Sequence, residues 1–139
     1  MIAELQQATD SASRWLEDLA TETGTSDDHR AWAYLRAALH ALRDRLSVEE
    51  CAQLAAQMPL VVRGLFYEGW RPAHKPDKSI KNRQELLARI SAELHGVPGD
   101  PQRIGRALFR VLEHHLPPGE VTSLQHVLPH DLRSFWKEI

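Results

Sequence analysis

The chain has 139 residues, 42% of them hydrophobic and 26% charged, with a formal net charge of −2. That is the balance of an ordinary folded domain, and it excludes a disordered segment and any general electrostatic drive toward nucleic acid or anionic membranes. A single cysteine, Cys51, excludes an internal disulfide and fits a reducing compartment.

The first seven residues, Met1 to Gln7, carry neither a basic n-region nor an apolar h-region, so no signal peptide is expected. No apolar run reaches the roughly 18 residues of a membrane span. A cytoplasmic location follows as the expectation. Trp15, Leu16 and Leu19 mark a first helix. Asp27 or Asp28 can cap a second, in which Leu35, Ala38, Leu39, Leu42 and Leu46 recur at the i, i+3, i+4, i+7 spacing of a buried stripe. Ser47-Val48-Glu49-Glu50 has the form of a capping box, with the serine capping a third helix and Glu50 reaching back to its free N–H. Cys51, Leu54, Ala55 and Met58 give that short helix its apolar face. Pro59 ends it and suits the first turn of a fourth helix. The fourth helix should stop near Gly69, a residue that takes a left-handed conformation at little cost. Trp70 is then expected to fold back toward Tyr67.

Residues 70–82 contain two prolines and five charged residues, and predict an extended connector. Beyond it, Leu86, Leu87 and Ile90 mark another helix. Asp100-Pro101 starts a long helix, and Pro117-Pro118-Gly119-Glu120 starts a short one. No strand-like alternation with hairpin turns occurs.

These elements repeat. Residues 36–69 align with 106–139 without a gap, Leu46 falling on Leu116. Identical pairs include Arg36/Arg106, Ala37/Ala107, Leu42/Leu112, Glu50/Glu120, Leu54/Leu124, Pro59/Pro129, Arg63/Arg133 and Glu68/Glu138. Apolar residues exchange at Leu39/Phe109, Cys51/Val121, Met58/Leu128, Val62/Leu132, Leu65/Phe135 and Phe66/Trp136. Trp15 and Leu19 match Leu86 and Ile90 after a one-residue shift. The predicted fold is therefore all-α, a compact multi-helix bundle made of two tandem copies of a four-helix unit. Residues 1–70 form the first unit, 71–82 a basic, proline-containing linker, and 83–139 the second unit, the two sharing one core. Leu42, Leu46, Leu54, Leu112, Leu116 and Leu124 should be buried. Arg63 and Arg133 should each bond an acid of their own half or a carbonyl at a helix end.

The repeat also marks what only one half possesses. Leu60, Val61 and Tyr67 stand where the second half has His130, Asp131 and Lys137, and Trp32 and Ala33 stand where it has Gln102 and Arg103. Trp32, Leu60, Val61 and Tyr67, with Trp70 beside them, form the candidate interaction surface. Such a face packs against the rest of the chain or marks a partner site, a second copy included.

The runs 35–46, 49–60 and 63–70, with Lys75-Pro76 and Leu86-Leu87-Ala88-Arg89-Ile90 after them, resemble a bacterial family called domain of unknown function 2267. The resemblance covers roughly Trp15 to the C-terminus. The family's consensus carries Tyr-Tyr-Glu-Gly-Trp where this chain has Phe66-Tyr67-Glu68-Gly69-Trp70. It implies an all-helical fold in a bacterial, cytoplasmic protein, and supplies no activity, cofactor or site residue.

The chemistry-bearing residues point to no reaction. Among eight histidines, His114 and His115 are adjacent and should face different sides of a helix. His126 and His130 are four apart, but Pro129 starts a new helix between them, and no H-E-x-x-H motif is present. The pairs Glu17-Asp18, Asp27-Asp28 and Glu49-Glu50 sit where acids cap helices or complement their dipoles. Cys51, aligned with Val121, reads as a buried thiol, and Ser26 and Ser47 read as caps. No nucleotide-binding or hydrolase motif occurs. No metal or other cofactor is expected. Arg71, His74, Lys75, Lys78 and Lys81, joined by Arg83, form the one basic cluster and the candidate anion contact. The expected function is a non-enzymatic protein–protein interaction module, with a homodimer as one form and neither membrane nor nucleic acid as partner. The alternative is a small-molecule or anion-binding protein, using a groove between the halves lined by Tyr67, Trp70 and the linker. An enzyme comes third.

Overall fold

The computed structural model describes residues 1–138. The described residues form eight α-helices and one short 3₁₀ turn, with no strand among them. In chain order these are α1 (Ala3–Thr23), α2 (Asp28–Arg45), α3 (Val48–Ala56), α4 (Leu60–Tyr67), the 3₁₀ turn (Pro72–His74), α5 (Arg83–Glu93), α6 (Pro101–His115), α7 (Pro118–Val127) and α8 (His130–Lys137). No helix is long and apolar enough to cross a membrane.

Local chemistry sets the boundaries. Asp27, not Asp28, caps α2, its side chain accepting from the N–H groups of His29 and Arg30. Both bonds of the capping box at Ser47 and Glu50 are made. Pro59 and Pro129 sit one residue earlier than expected, as the extended residues immediately before α4 and α8. Gly69 has φ +71° just beyond the end of α4, as its freedom from a Cβ allows.

Helix boundaries fall at the spacing read from the sequence. α2 and α6 end at Arg45 and His115, and α4 and α8 start at Leu60 and His130 and end at Tyr67 and Lys137. Leu42, Leu46, Leu54, Leu112, Leu116 and Leu124 are all buried, within one core that draws on helices from both ends of the chain. α1 packs on α2, α4 and α6, while α5 packs on α6, α8 and α2. α2 also meets α6, and α3 meets α7. Each long helix thus lies between α1 and α5.

The matched arginines do the same work. Arg63 Nε donates to the Ala55 carbonyl and Nη2 to that of Met58, both at 2.9 Å. Arg133 Nε donates to Gln125 (3.0 Å), and Nη2 to His126 (2.9 Å) and Leu128 (3.3 Å). Each guanidinium satisfies carbonyls freed at the end of the preceding short helix and places its charge at the negative end of that helix dipole.

Two features depart from the expectation. The linker is not simply extended: it contains the 3₁₀ turn, and Ile80 drops into the core. An apolar side chain anchoring a polar segment explains the bend. Further, α1 has 21 residues where α5 has 11. Aligned on Trp15/Leu86 and Leu19/Ile90, the extra length lies at the start of α1. Where α5 begins, Asp131 accepts from the Arg83 N–H at 2.7 Å. The position matching Asp131 is Val61, and there α1 runs on, presenting side chains instead of a free N–H.

Candidate functional site

The structure brings part of the candidate interaction surface together. Trp32 from α2 and Val61 from α4 line a groove of about 220 Å³ with Thr9, Ala12, Ser13 and Leu16 of α1. Trp32 remains 39% exposed, Val61 37%, and the adjacent Leu60 63%. Thr9, Ala12 and Leu16 follow helical spacing along the α1 side of the groove, Leu5 lies one turn before Thr9 on the same face, and Ile2 immediately precedes the helix in an extended conformation. Leu5 and Ile2 are both exposed. Tyr67 and Trp70 do not join this groove. Their rings pack on each other, centroids 5.1 Å apart, against the edge of the core. Trp70 therefore folds back as expected, although its indole N–H is buried with no protein acceptor.

The basic linker is only partly a common site. Arg71, His74 and Lys75 line a cleft of about 350 Å³ with Arg43, Arg89, Asp44, Asp77 and Glu93. Lys78 and Lys81 lie outside it. Within the cleft, cation and anion pair with each other. Asp44 is contacted by Arg43 Nε and Arg89 Nη1, each at 2.9 Å, and by Lys75 Nζ at 3.5 Å. Arg89 Nη2 also holds Asp77 at 2.5 Å, and the Asp77 N–H donates to the Asp44 carbonyl. The Ser79 hydroxyl bonded to Asp77, with Arg89 beside it, brings the Asp77 carboxyl down to about 2. Arg43 Nη1 donates to the carbonyls of Phe66 and Glu68. This is an electrostatic clasp holding the linker to the helices, with Lys75 among the cations it uses.

Two groups were not read from the sequence. Arg103, Arg106 and Arg110 line a cleft of about 360 Å³ with Glu22 and Glu138. Their i, i+3, i+7 spacing on α6 is the signal that could have found them. Second, His114 and His115 do not point to separate surroundings, as their adjacency suggested. Both bond the same oxygen of Asp18, through His114 Nδ1 at 2.8 Å and His115 Nε2 at 3.1 Å.

Two further titratable groups, Cys51 and His40, lie buried in the core. Burial pushes the Cys51 thiol up to about 12, leaving a small apolar side chain that makes one weak bond to the Arg43 carbonyl. His40 is buried beside the Leu65 carbonyl, 2.7 Å from Nε2, and burial lowers its pKa.

No curated protein matches the chain. A family model described as "Uncharacterized conserved protein (DUF2267)" matches residues 12–135, beginning just after the exposed start of α1. With nearly the whole chain matched, the protein belongs to this uncharacterized conserved family, DUF2267.

Proposed function

We propose that this chain is a non-enzymatic protein–protein interaction module that pairs with a second copy of itself through the Trp32–Val61 groove. The observation that carries the reading is the continuity of the apolar stripe. Thr9, Ala12, Ser13 and Leu16 of α1 line the groove, Leu5 continues that face one turn beyond it, and both Leu5 and Ile2, just before the helix, are exposed. The element that fits such a groove is an apolar helical stripe, and a second copy supplies one. In a two-fold pair, each overhang lies against the other copy's Trp32 and Val61, an isologous contact. Trp32 is the natural anchor, since tryptophan is enriched among residues that dominate interface energy. The two halves of the chain read as tandem copies of one four-helix unit, and only the first presents this face. A cytoplasmic setting is consistent with a lone buried cysteine.

Light scattering across a concentration series tests the proposal. The intact chain should approach twice the single-chain mass, and Trp32→Glu should remain a single chain with the parent's helix content, its melting temperature lower only by what association adds and no longer dependent on concentration. A constant single-chain mass for the intact protein would sink the self-pairing reading.

A second reading, anion binding, draws on the α6 cleft instead of the linker. There three guanidinium groups face two carboxylates, and no ion pair within the described residues involves Arg103, Arg106 or Arg110. Planar guanidinium groups suit phosphate or carboxylate ligands. Inorganic phosphate should raise the melting temperature of the intact chain more than sodium chloride of equal ionic strength. The excess should vanish in Arg106→Ala/Arg110→Ala. Equal effects of the two salts would remove this reading.

A further inference from the structure

Asp18 and Glu22 stand one turn apart on α1, where that helix packs on α6. The last turn of α6 brings His114 and His115 against them. His115 is stacked on the buried Trp15 ring, centroids 5.0 Å apart and planes 26° from parallel, so packing fixes its orientation. Its Nε2 and His114 Nδ1 both meet Asp18 Oδ2. Glu22 is half-buried, and no hydrogen bond or ion pair within the described residues involves it. One ligand atom each from Asp18, Glu22 and His114 nevertheless lie within 4.8 Å of one another. Two carboxylates are thus held side by side, with two imidazoles against Asp18. Like charges so placed repel, and a cation between them relieves the repulsion. Arg103, Arg106 and Arg110 line a neighbouring cleft together with Glu22, and among the described residues none of them makes an ion pair with it.

We propose that Asp18, Glu22 and His114 bind a divalent transition-metal ion, zinc in preference to magnesium or calcium. His115 keeps its bond to Asp18 and orients that carboxylate, as outer partners of metal ligands do. Imidazole nitrogen with carboxylate oxygen is a donor set that zinc accepts, whereas magnesium and calcium favour oxygen alone. Bonds of about 2.0–2.2 Å place tetrahedral ligand atoms about 3.3 Å apart. The Asp18–His114 pair is already near that spacing, and Glu22, the unpaired member with a flexible side chain, closes the remainder. Three protein ligands leave the fourth position to water. The ion joins α1 to α6, so its binding stabilises the contact between the beginning and the later part of the chain.

Calorimetric titration of the chelator-treated full chain with zinc chloride, paired with thermal melts, tests the site. One zinc should bind per chain and raise the melting temperature. His114→Ala and Glu22→Gln should each weaken binding by about tenfold or more. Glu22→Gln removes no side-chain hydrogen bond of the fold and relieves the repulsion with Asp18, so its unliganded melting temperature should be no lower than that of the parent. His126→Ala, which alters a histidine outside the group, should bind zinc as the parent does. Absence of one-to-one binding, affinity unchanged in both Glu22→Gln and His114→Ala, or equal affinity for magnesium overturns the proposal.

Discussion

Asp44→Ala is expected to destabilise the fold by about 3–5 kcal/mol, read as a lower urea midpoint with an unchanged slope. Asp44 is 5% exposed, and three cations converge on its carboxylate. Two of them, Arg43 and Lys75, are themselves buried along their side chains. Removing the anion leaves those charges close together and poorly hydrated, a cost well above the net worth of an exposed ion pair. The damage spreads, because Arg89 spans Asp44 and Asp77 and so ties α5 and the linker to the end of α2. Asp44→Asn keeps the shape but not the charge and should fall between parent and alanine variant. A loss under 1 kcal/mol for Asp44→Ala would show that the cations find water or other acceptors once released.

Trp136→Ala should cost about 3–5 kcal/mol, the range for truncating a large buried aromatic. Trp136 is fully buried and stacks on Phe109, centroids 4.4 Å apart with planes only 10° from parallel. Its Nε1 donates to the exposed Glu113 carboxylate at 2.7 Å, so the substitution also removes that hydrogen bond, after which water can take the place of the indole at the carboxylate. Trp136→Phe tests the division of the loss. It restores the residue type of the matching position, Phe66, and retains most of the apolar volume. It should recover the larger part of the stability and leave only the hydrogen bond missing. Equal losses for the two variants would assign the effect to the indole N–H instead of to packing.

Much of the fold could be read because it is specified by local and repeated signals. The capping box at Ser47, the prolines at 59 and 129 and the matched leucines each act within a few residues of themselves. The repeat then checks each of them a second time, most clearly at Arg63 and Arg133, which share two matching carbonyl partners, Ala55/Gln125 and Met58/Leu128, while Arg133 adds His126. Of the candidate surface, Trp32 and Val61 were legible because their counterparts Gln102 and Asp131 are polar. Tyr67 carried the same mark but is half-buried against Trp70. The linker clasp was hidden because Asp44 and Arg89 are 45 residues apart, and each looks like an ordinary charge on a helix. His114 and His115 misled for a geometric reason. Neighbouring residues do diverge around a helix, yet two imidazoles can reach back to one carboxylate by using different ring nitrogens.

The placement of the long helices has a consequence for synthesis. α2 rests on α5 as well as on α1, and α1 rests on α6 as well as on α2. When the first half has left the ribosome, α2 still has a bare apolar flank, and α1, packed on α2 and α4, still lacks α6. Neither can settle until the chain has grown past residue 115. The nascent protein therefore carries exposed apolar surface through most of its translation, and the order in which helices emerge differs from the order in which they can lock.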